Sequence, residues 1–206
     1  MEYVIFALLW IIWCTLHSAM ISLTVTNYLK RKLDIGFRFY RVCFNIVSLA
    51  TVTPLFLWHP TEPFFTWDGY LVVGKIFIYL IGTFLAVAGG LRYDILHFVG
   101  IRQIRETTSN TLMSEAGELN TGGILGIIRH PWYLAAFIWF WVSDLGTGEV
   151  IRNVILDSYI VIGVYLEERK LVAELGDKYR EYQRRVPMLI PYKWPRRQKE
   201  AYDQGS

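Results

Sequence analysis

Two short runs hold most of the residue types able to do chemistry. From Gly122 the chain reads Gly-Gly-Ile-Leu-Gly-Ile-Ile-Arg-His-Pro-Trp-Tyr, ending at Tyr133. Glycine lets a backbone approach a ligand closely, and Pro131 suits the first turn of a helix, where a missing N–H costs little. The spacing predicts a helix that starts beside Arg129 and His130. Unpaired N–H groups and the positive dipole end would face the same way there, which attracts a carboxylate. The same Arg-His pair also reads as a basic anchor that fixes topology. Further on, Glu167 and Glu168 are adjacent. Helical neighbours point about 100° apart, so at most one faces such a site, and the other is expected to meet Arg129 or Arg169. A carboxylate beside an anion-attracting helix start suits a zwitterionic ligand, with one partner for an ammonium and one for a carboxylate.

The elements that must hold these residues are apolar. Of 206 residues, 53% are hydrophobic, 16% aromatic and 19% charged, with mean hydropathy +0.30 and net charge +3. Soluble domains carry about 25% charged residues, and here the apolar residues come in long blocks. That distribution excludes an ordinary cytosolic enzyme, a disordered chain and a nucleic-acid module. Blocks at residues 3 to about 23, 42–58 and 71–91, the last broken only by Lys75, each approach the length of a membrane-crossing helix. Such a helix needs ~20 residues to cross ~30 Å of hydrocarbon. Two shorter blocks, 131 to about 145 and 154–166, flank a turn-like Ser143-Asp144-Leu145-Gly146-Thr147-Gly148 and either cross fully or dip in as a hairpin. On this parsing, 19 of the 21 basic residues fall on one face, leaving Lys75 and Arg152 on the other. Basic residues favour the cytoplasmic side. The expectation is an all-α, multi-pass integral membrane protein of about five transmembrane helices, with its N-terminus outside and its C-terminus and site cytoplasmic. Residues 1–206 read as one membrane-embedded domain: a three-helix scaffold over 1–100, the functional region over 101–195 and a flexible tail over 196–206.

Smaller signals complete the reading. Gly82, Ala86 and Gly90 recur every four residues, a small-residue stripe that lets a neighbouring helix come close; a cofactor passing over Gly89-Gly90 is the alternative. His17, Asn45 and Asp157 are polar residues inside apolar blocks. For His17 and Asp157 both interhelical hydrogen bonding and a site role stand open. Cys14 and Cys43 read as packing residues, and the four histidines share no ligand spacing, so no metal is expected. The start Met1-Glu2-Tyr3 lacks the basic region of a cleaved signal peptide. The basic face suits the lipid bilayer's anionic headgroups, and no nucleic-acid partner is indicated. After Glu168, the residues Leu171, Val172, Leu175, Tyr179, Tyr182 and Val186 keep to one face. They predict an amphipathic helix, ended by Pro187, that lids the site. S-adenosylmethionine has the amino-acid end that the two runs could hold, and a sulfonium that aromatic faces stabilise.

Arg129-His130-Pro131-Trp132-Tyr133, Glu167-Glu168 and Tyr179-x-x-Tyr182-x-x-Arg185-Val186-Pro187 together resemble the signature of the isoprenylcysteine carboxyl methyltransferase and phospholipid methyltransferase superfamily. The resemblance covers residues 122–191. Phe98-Val99-Gly100-Ile101-Arg102-Gln103, with Leu16-His17-Ser18 and Tyr40-Arg41, resembles the methanethiol S-methyltransferase and NnrU-like branches. In the superfamily pattern a tyrosine stands four residues before the Arg-His-Pro arginine, and here that place is Leu125.

The resemblance implies an integral membrane enzyme using S-adenosylmethionine. His130, Tyr133 and one of Glu167 or Glu168 would hold the cofactor's amino-acid end, Gly123 would allow backbone approach, and Tyr179 and Tyr182 would close over it. Arg129 and Arg185 would act at the reacting centre by orienting the acceptor, with Arg102, Gln103 and His17 on the substrate side. The protein would supply alignment and a dry pocket for an in-line methyl transfer. A small thiol is the favoured acceptor. A prenylcysteine carboxylate or a phospholipid amine headgroup, or a non-enzymatic NnrU-like role, are the alternatives. No strand with a G-x-G-x-x-G turn points to a soluble methyltransferase.

Overall fold

A computed structural model describes residues 1–58, 62–92, 95–105, 114–115, 118–119 and 121–192. Three elements are long and apolar enough to cross a membrane: Glu2–Ile21, Gly36–Leu57 and Leu71–Gly90, with mean hydropathy 2.1, 1.4 and 2.2. They match the first three apolar blocks. The first is α1. After Ser22, whose side chain accepts the Val25 N–H, a basic-ended α2 (Leu23–Leu33) and a 3-10 turn (Asp34–Phe39) lead into α3 (Tyr40–Leu57). Helix α4 is Leu71–Gly90, and two short helices follow, α5 (Ile95–Val99) and α6 (Ile101–Arg105). Apolar side chains such as Leu8, Leu49 and Phe77 are exposed outward along these spans, as hydrocarbon-facing helices require. The protein is multi-pass and membrane-integral.

The small-residue stripe does pack a helix. Helix α7 (Pro131–Trp141) lies along α4 so closely that a Cβ at Gly82 would fall 2.7 Å from the Trp139 ring, and one at Gly89 2.8 Å from the Trp132 ring. The Trp132 indole N–H donates to the Ala86 carbonyl at 2.8 Å. Glycine is what permits this contact, and the contact sets the height and rotation of α7.

The two shorter blocks depart from simple spans. Helix α7 has 11 residues and rises ~16 Å, about half the hydrocarbon thickness. Non-helical backbone at 142–146 follows it. Its Leu145 carbonyl accepts the Phe64 and Phe65 N–H groups, and its own N–H donates to Phe65. Irregular backbone at membrane depth survives only when its polar groups are met by protein, and this pairing meets them. Helix α8 (Thr147–Leu175) then runs 29 residues without interruption. The expected amphipathic helix is therefore not one element. Its first turns are the end of α8, and Gly176, at φ +61°, breaks the chain before α9 (Asp177–Arg185). The break lets Leu171 on α8 pack with Tyr179 and Tyr182 on α9 and with Val186. The architecture is helical as expected, with an antiparallel pair of two-residue strands beside it, β1 (Ser114–Glu115) against β2 (Glu118–Leu119). The tail expected over 196–206 lies outside the described residues.

Candidate functional site

Helix α7 begins at the end of α4 that carries Gly89 and Gly90, with Pro131 in its first turn and His130 as its N-cap. The N–H groups there are not all free, as the sequence suggested. Those of Arg129 and His130 donate to the carbonyls of Pro187 and Met188, at 3.0 and 3.1 Å. The segment after α9 is thereby tied across the start of α7, because Pro187 ends α9 just where it reaches that pair of donors.

The anion that meets this helix start belongs to the chain itself. Glu168 Oε1 lies 2.7 Å from His130 Nε2 and 3.0 Å from Arg129 Nε, and it accepts the Tyr179 hydroxyl at 2.8 Å. Its other oxygen accepts the amide of Gln183. Arg129, His130, Glu168, Tyr179 and Tyr182 are all buried. Burial alone would raise the carboxyl of Glu168, but the hydrogen bonds from His130, Gln183 and Tyr179 and the charge of Arg129 outweigh it and hold the group below the usual carboxylate range. Burial, with the negative charge of Glu168 adding to it, pushes the Tyr179 phenol well up, so it stays a donor. Tyr182 is also raised, chiefly by burial, and donates at 2.6 Å to the Leu125 carbonyl.

Glu167, beside Glu168 on α8, comes within 3.9 Å of the other His130 ring nitrogen, Nδ1. It accepts the Tyr133 hydroxyl at 2.9 Å, and its side chain is 30% exposed. Leu125, at the place where the superfamily has tyrosine, is fully buried, so it serves through its carbonyl to Tyr182. Gly123 has φ +61°, and a Cβ there would fall 2.7 Å from the Arg92 guanidinium. The close approach this glycine permits is thus to Arg92. Arg185 turns away from Glu168: it pairs with Glu181 at 3.0 Å and its side chain is 60% exposed.

The substrate-side residues are not brought to Glu168 in one cluster. His17 hydrogen-bonds Ser48 at 3.1 Å, stacks on Trp13 and touches Phe44, which joins α1 to α3. Asp157 accepts the Trp141 indole N–H at 2.6 Å, joining α8 to α7. Arg102 and Gln103 lie on α6, and the side chain of Gln103 is outside the described set. Their placement explains the upstream motif. Arg41 donates to the Phe98 carbonyl at 3.2 Å, and Asn45 donates to Val99 at 3.0 Å. Gly100, at φ +97°, presses on Arg41. This clamp on the α5–α6 elbow fixes where Arg102 and Gln103 begin.

Sequence reasoning missed three participants: Gln183, the Pro187–Met188 carbonyls and Arg92. Gln183 stands four residues after Tyr179, on the face of α9 that meets Glu168, and helical spacing could have found it. Beside Glu168 opens a cleft of about 320 Å³ lined by Tyr165, Glu168, Arg169, Val172, Gln183 and Met188. It contains a carboxylate, an amide, a guanidinium, an aromatic ring and two apolar side chains. That is a donor set for an amphiphilic ligand with an amino-acid end. Its size sits at the small end of ligand pockets, ~300–1,000 Å³. Among the described residues no cluster suited to a metal ion is found.

No family model matches the chain, and no solved structure matches it. Curated relatives do. The chain is 30% identical over 152 residues to a methanethiol S-methyltransferase of Crocosphaera subtropica, covering 70% of this chain and 58% of that protein. It is 29% identical over 157 residues to the methanethiol S-methyltransferase of Mycobacterium tuberculosis, covering 73% of this chain and 63% of the relative. A shorter likeness, 32% over 77 residues, joins it to the protein-S-isoprenylcysteine O-methyltransferase of Schizosaccharomyces pombe, 35% of this chain and 33% of that one. The chain spans less than two thirds of the length of each of these relatives. With the Arg-His-Pro segment, the glutamate pair and the two tyrosines gathered at one end of the bundle, these likenesses show that the chain belongs to the membrane methyltransferase superfamily that includes the methanethiol S-methyltransferases and the isoprenylcysteine carboxyl methyltransferases.

Proposed function

We propose that this chain is an S-adenosylmethionine-dependent membrane methyltransferase whose acceptor is a small thiol. The observation that carries the reading is the buried Glu168, held by His130, Arg129 and Tyr179 and lining a cleft at the membrane-helix ends. The donor set of the cleft fits the cofactor. Glu168 would receive the ammonium of its amino-acid end, Tyr165 offers an aromatic face to a cationic or flat group, and Val172 and Met188 exclude water from one side. His130, Arg129 and Tyr179 keep Glu168 ionised and fixed in place. Glu167 and Tyr133 form the neighbouring wall between α7 and α8, and Tyr182 anchors α9 over the site through Leu125. When bound, the cofactor would supply an activated methyl group on its sulfonium, with S-adenosylhomocysteine as the neutral leaving group. Alignment of cofactor and acceptor is the protein's main contribution. The likeness to the methanethiol enzymes favours a thiol acceptor. The second reading, a lipidic acceptor, draws on the shorter isoprenylcysteine likeness and on the exposed Tyr165 and Leu166 where the cleft borders α8.

The test is titration calorimetry of the purified chain in lipid nanodiscs with S-adenosylhomocysteine, followed by transfer of labelled methyl to methanethiol, a prenylcysteine and an aminophospholipid. Binding with labelling of the thiol is the expected result. Absence of binding would overturn the enzymatic reading, and labelling confined to a lipid acceptor would overturn the thiol.

A further inference from the structure

Most of the cations around the α8–α9 junction are matched to acids. Arg129 is engaged by Glu168, Lys170 by Glu174, Arg180 by Asp177, and Arg184 and Arg185 by Glu181. Arg169 is exposed and has no ion-pair partner among the described residues, yet it lines the 320 Å³ cleft next to Glu168. Arg129 already offsets the charge of Glu168 at 3.0 Å, so the cleft is left with one uncompensated positive charge, that of Arg169. The oxygens of Glu168 are unequally occupied. Oε1 meets His130, Arg129 and Tyr179, whereas Oε2 carries only the Gln183 amide among the described residues. An ionised carboxylate oxygen can accept two hydrogen bonds. Among the residues that line the cleft, Glu168 thus keeps a second acceptor position on Oε2, and Arg169, one residue further along the same helix, has no ion-pair partner among the described residues.

We propose that Arg169 is the carboxylate-binding residue of this cleft. Its planar fork pairs with the α-carboxylate of the ligand's amino-acid end, while Glu168 Oε2 takes the ammonium. This rests on the cofactor reading above and assigns a role to a residue that the superfamily motif does not supply. It also inverts the expectation for the other arginines: Arg129 braces the acid, Arg185 faces outward, and the ligand's anion falls to Arg169. Tyr165, one turn before Arg169 on α8, places an aromatic ring on the same wall.

The test compares two ligands that differ in this end. S-Adenosylhomocysteine carries the amino acid, and 5′-methylthioadenosine lacks it. Calorimetry on the 206-residue chain in nanodiscs should show Arg169→Ala weakening S-adenosylhomocysteine by about 10-fold or more, the loss expected for hydrogen bonds to a charged group. Arg169→Lys should restore part of it, and methylthioadenosine affinity should be the same in all three proteins, which also reports that the variants are folded. Unchanged S-adenosylhomocysteine affinity in Arg169→Ala overturns this inference and leaves the cofactor reading standing. Equal loss of both ligands also overturns it, since Arg169 would then act through the fold or the adenosine. Failure of the wild type to bind S-adenosylhomocysteine overturns the cofactor reading and this inference with it.

Discussion

Glu168 has to remain charged in a place where charge is costly, and its neighbours make that possible. Its side chain and that of Arg129 are each only 8% exposed, so removing the carboxylate takes its ion pair from a buried guanidinium. Glu168→Ala is expected to destabilise the protein by about 3–5 kcal/mol, the cost of breaking a buried pair. Glu167→Ala, at a more exposed acid with one phenolic donor, should cost no more than about 1 kcal/mol. Thermal unfolding in matched lipid checks both, and equal losses would refute the division of labour between the two glutamates. The pH dependence follows from the direction of the Glu168 shift. Its folded value lies below the ordinary carboxylate value, so its contribution is fully present above about pH 4.3 and is lost as pH falls through the folded value. The gap in unfolding temperature between wild type and Glu168→Gln should therefore hold steady from neutral pH to about pH 5 and narrow below about pH 4. A gap that narrowed on raising the pH would contradict the sign. The glutamate pair, Arg129 and His130 were legible in the sequence because charged residues beside apolar blocks are conspicuous. The identity of the anion at the α7 start was not, because it depends on how α8 is rotated against α7.

At the scale of elements, the site depends on a helix contact that involves none of its residues. Gly89 lets the Trp132 and Pro131 side chains lie against the α4 backbone; a Cβ there would sit 2.8 Å from the Trp132 ring and 2.9 Å from Pro131 Cγ. Pro131 is next to His130, so any displacement passes directly to the His130–Glu168 contact. Gly89→Ala should cost about 1–3 kcal/mol, as overpacking does, and should weaken cofactor binding. Gly163→Ala on α8, where a Cβ meets nothing within 4 Å, should be neutral or stabilising by up to about 1 kcal/mol. Unfolding temperature and calorimetric affinity measured on both variants test the coupling, and an unaltered affinity in Gly89→Ala would break it. The small-residue stripe was readable from its spacing. The split of the amphipathic segment into the end of α8 and all of α9 was not, since periodicity runs on through Gly176 and only its positive φ, +61°, reveals the break. On α9, Arg185 falls on the flank that reaches Glu181.

For the whole molecule, the distribution of charge and the lengths of the helices constrain each other. Helix α4 is long enough to cross, and it runs from Lys75, which pairs with Asp144 at 2.9 Å, to Gly89 beside the start of α7. The 142–146 segment is therefore near one end of the bundle and Glu168 near the other. Helix α8, at 29 residues, spans ~43 Å, more than the hydrocarbon requires, so its last turns with Glu167 and Glu168 emerge with the basic α2 and α9. A single orientation then places Lys30, Arg31, Lys32 and the cations of α9 on the same side as the site. Because basic residues near helix ends favour the cytoplasm, that side should be cytoplasmic, where the proposed cofactor would reach the cleft, and the 62–68 segment should be outside. A fluorescent protein that folds only in the cytoplasm, fused after Ser206, should be bright, and alkaline phosphatase inserted at residue 66 should be active in a bacterial host. Phosphatase activity from the C-terminal position would reverse the orientation and put the cleft out of reach of the cofactor, so this measurement tests the direction of the bundle and the cofactor's access to Glu168 together.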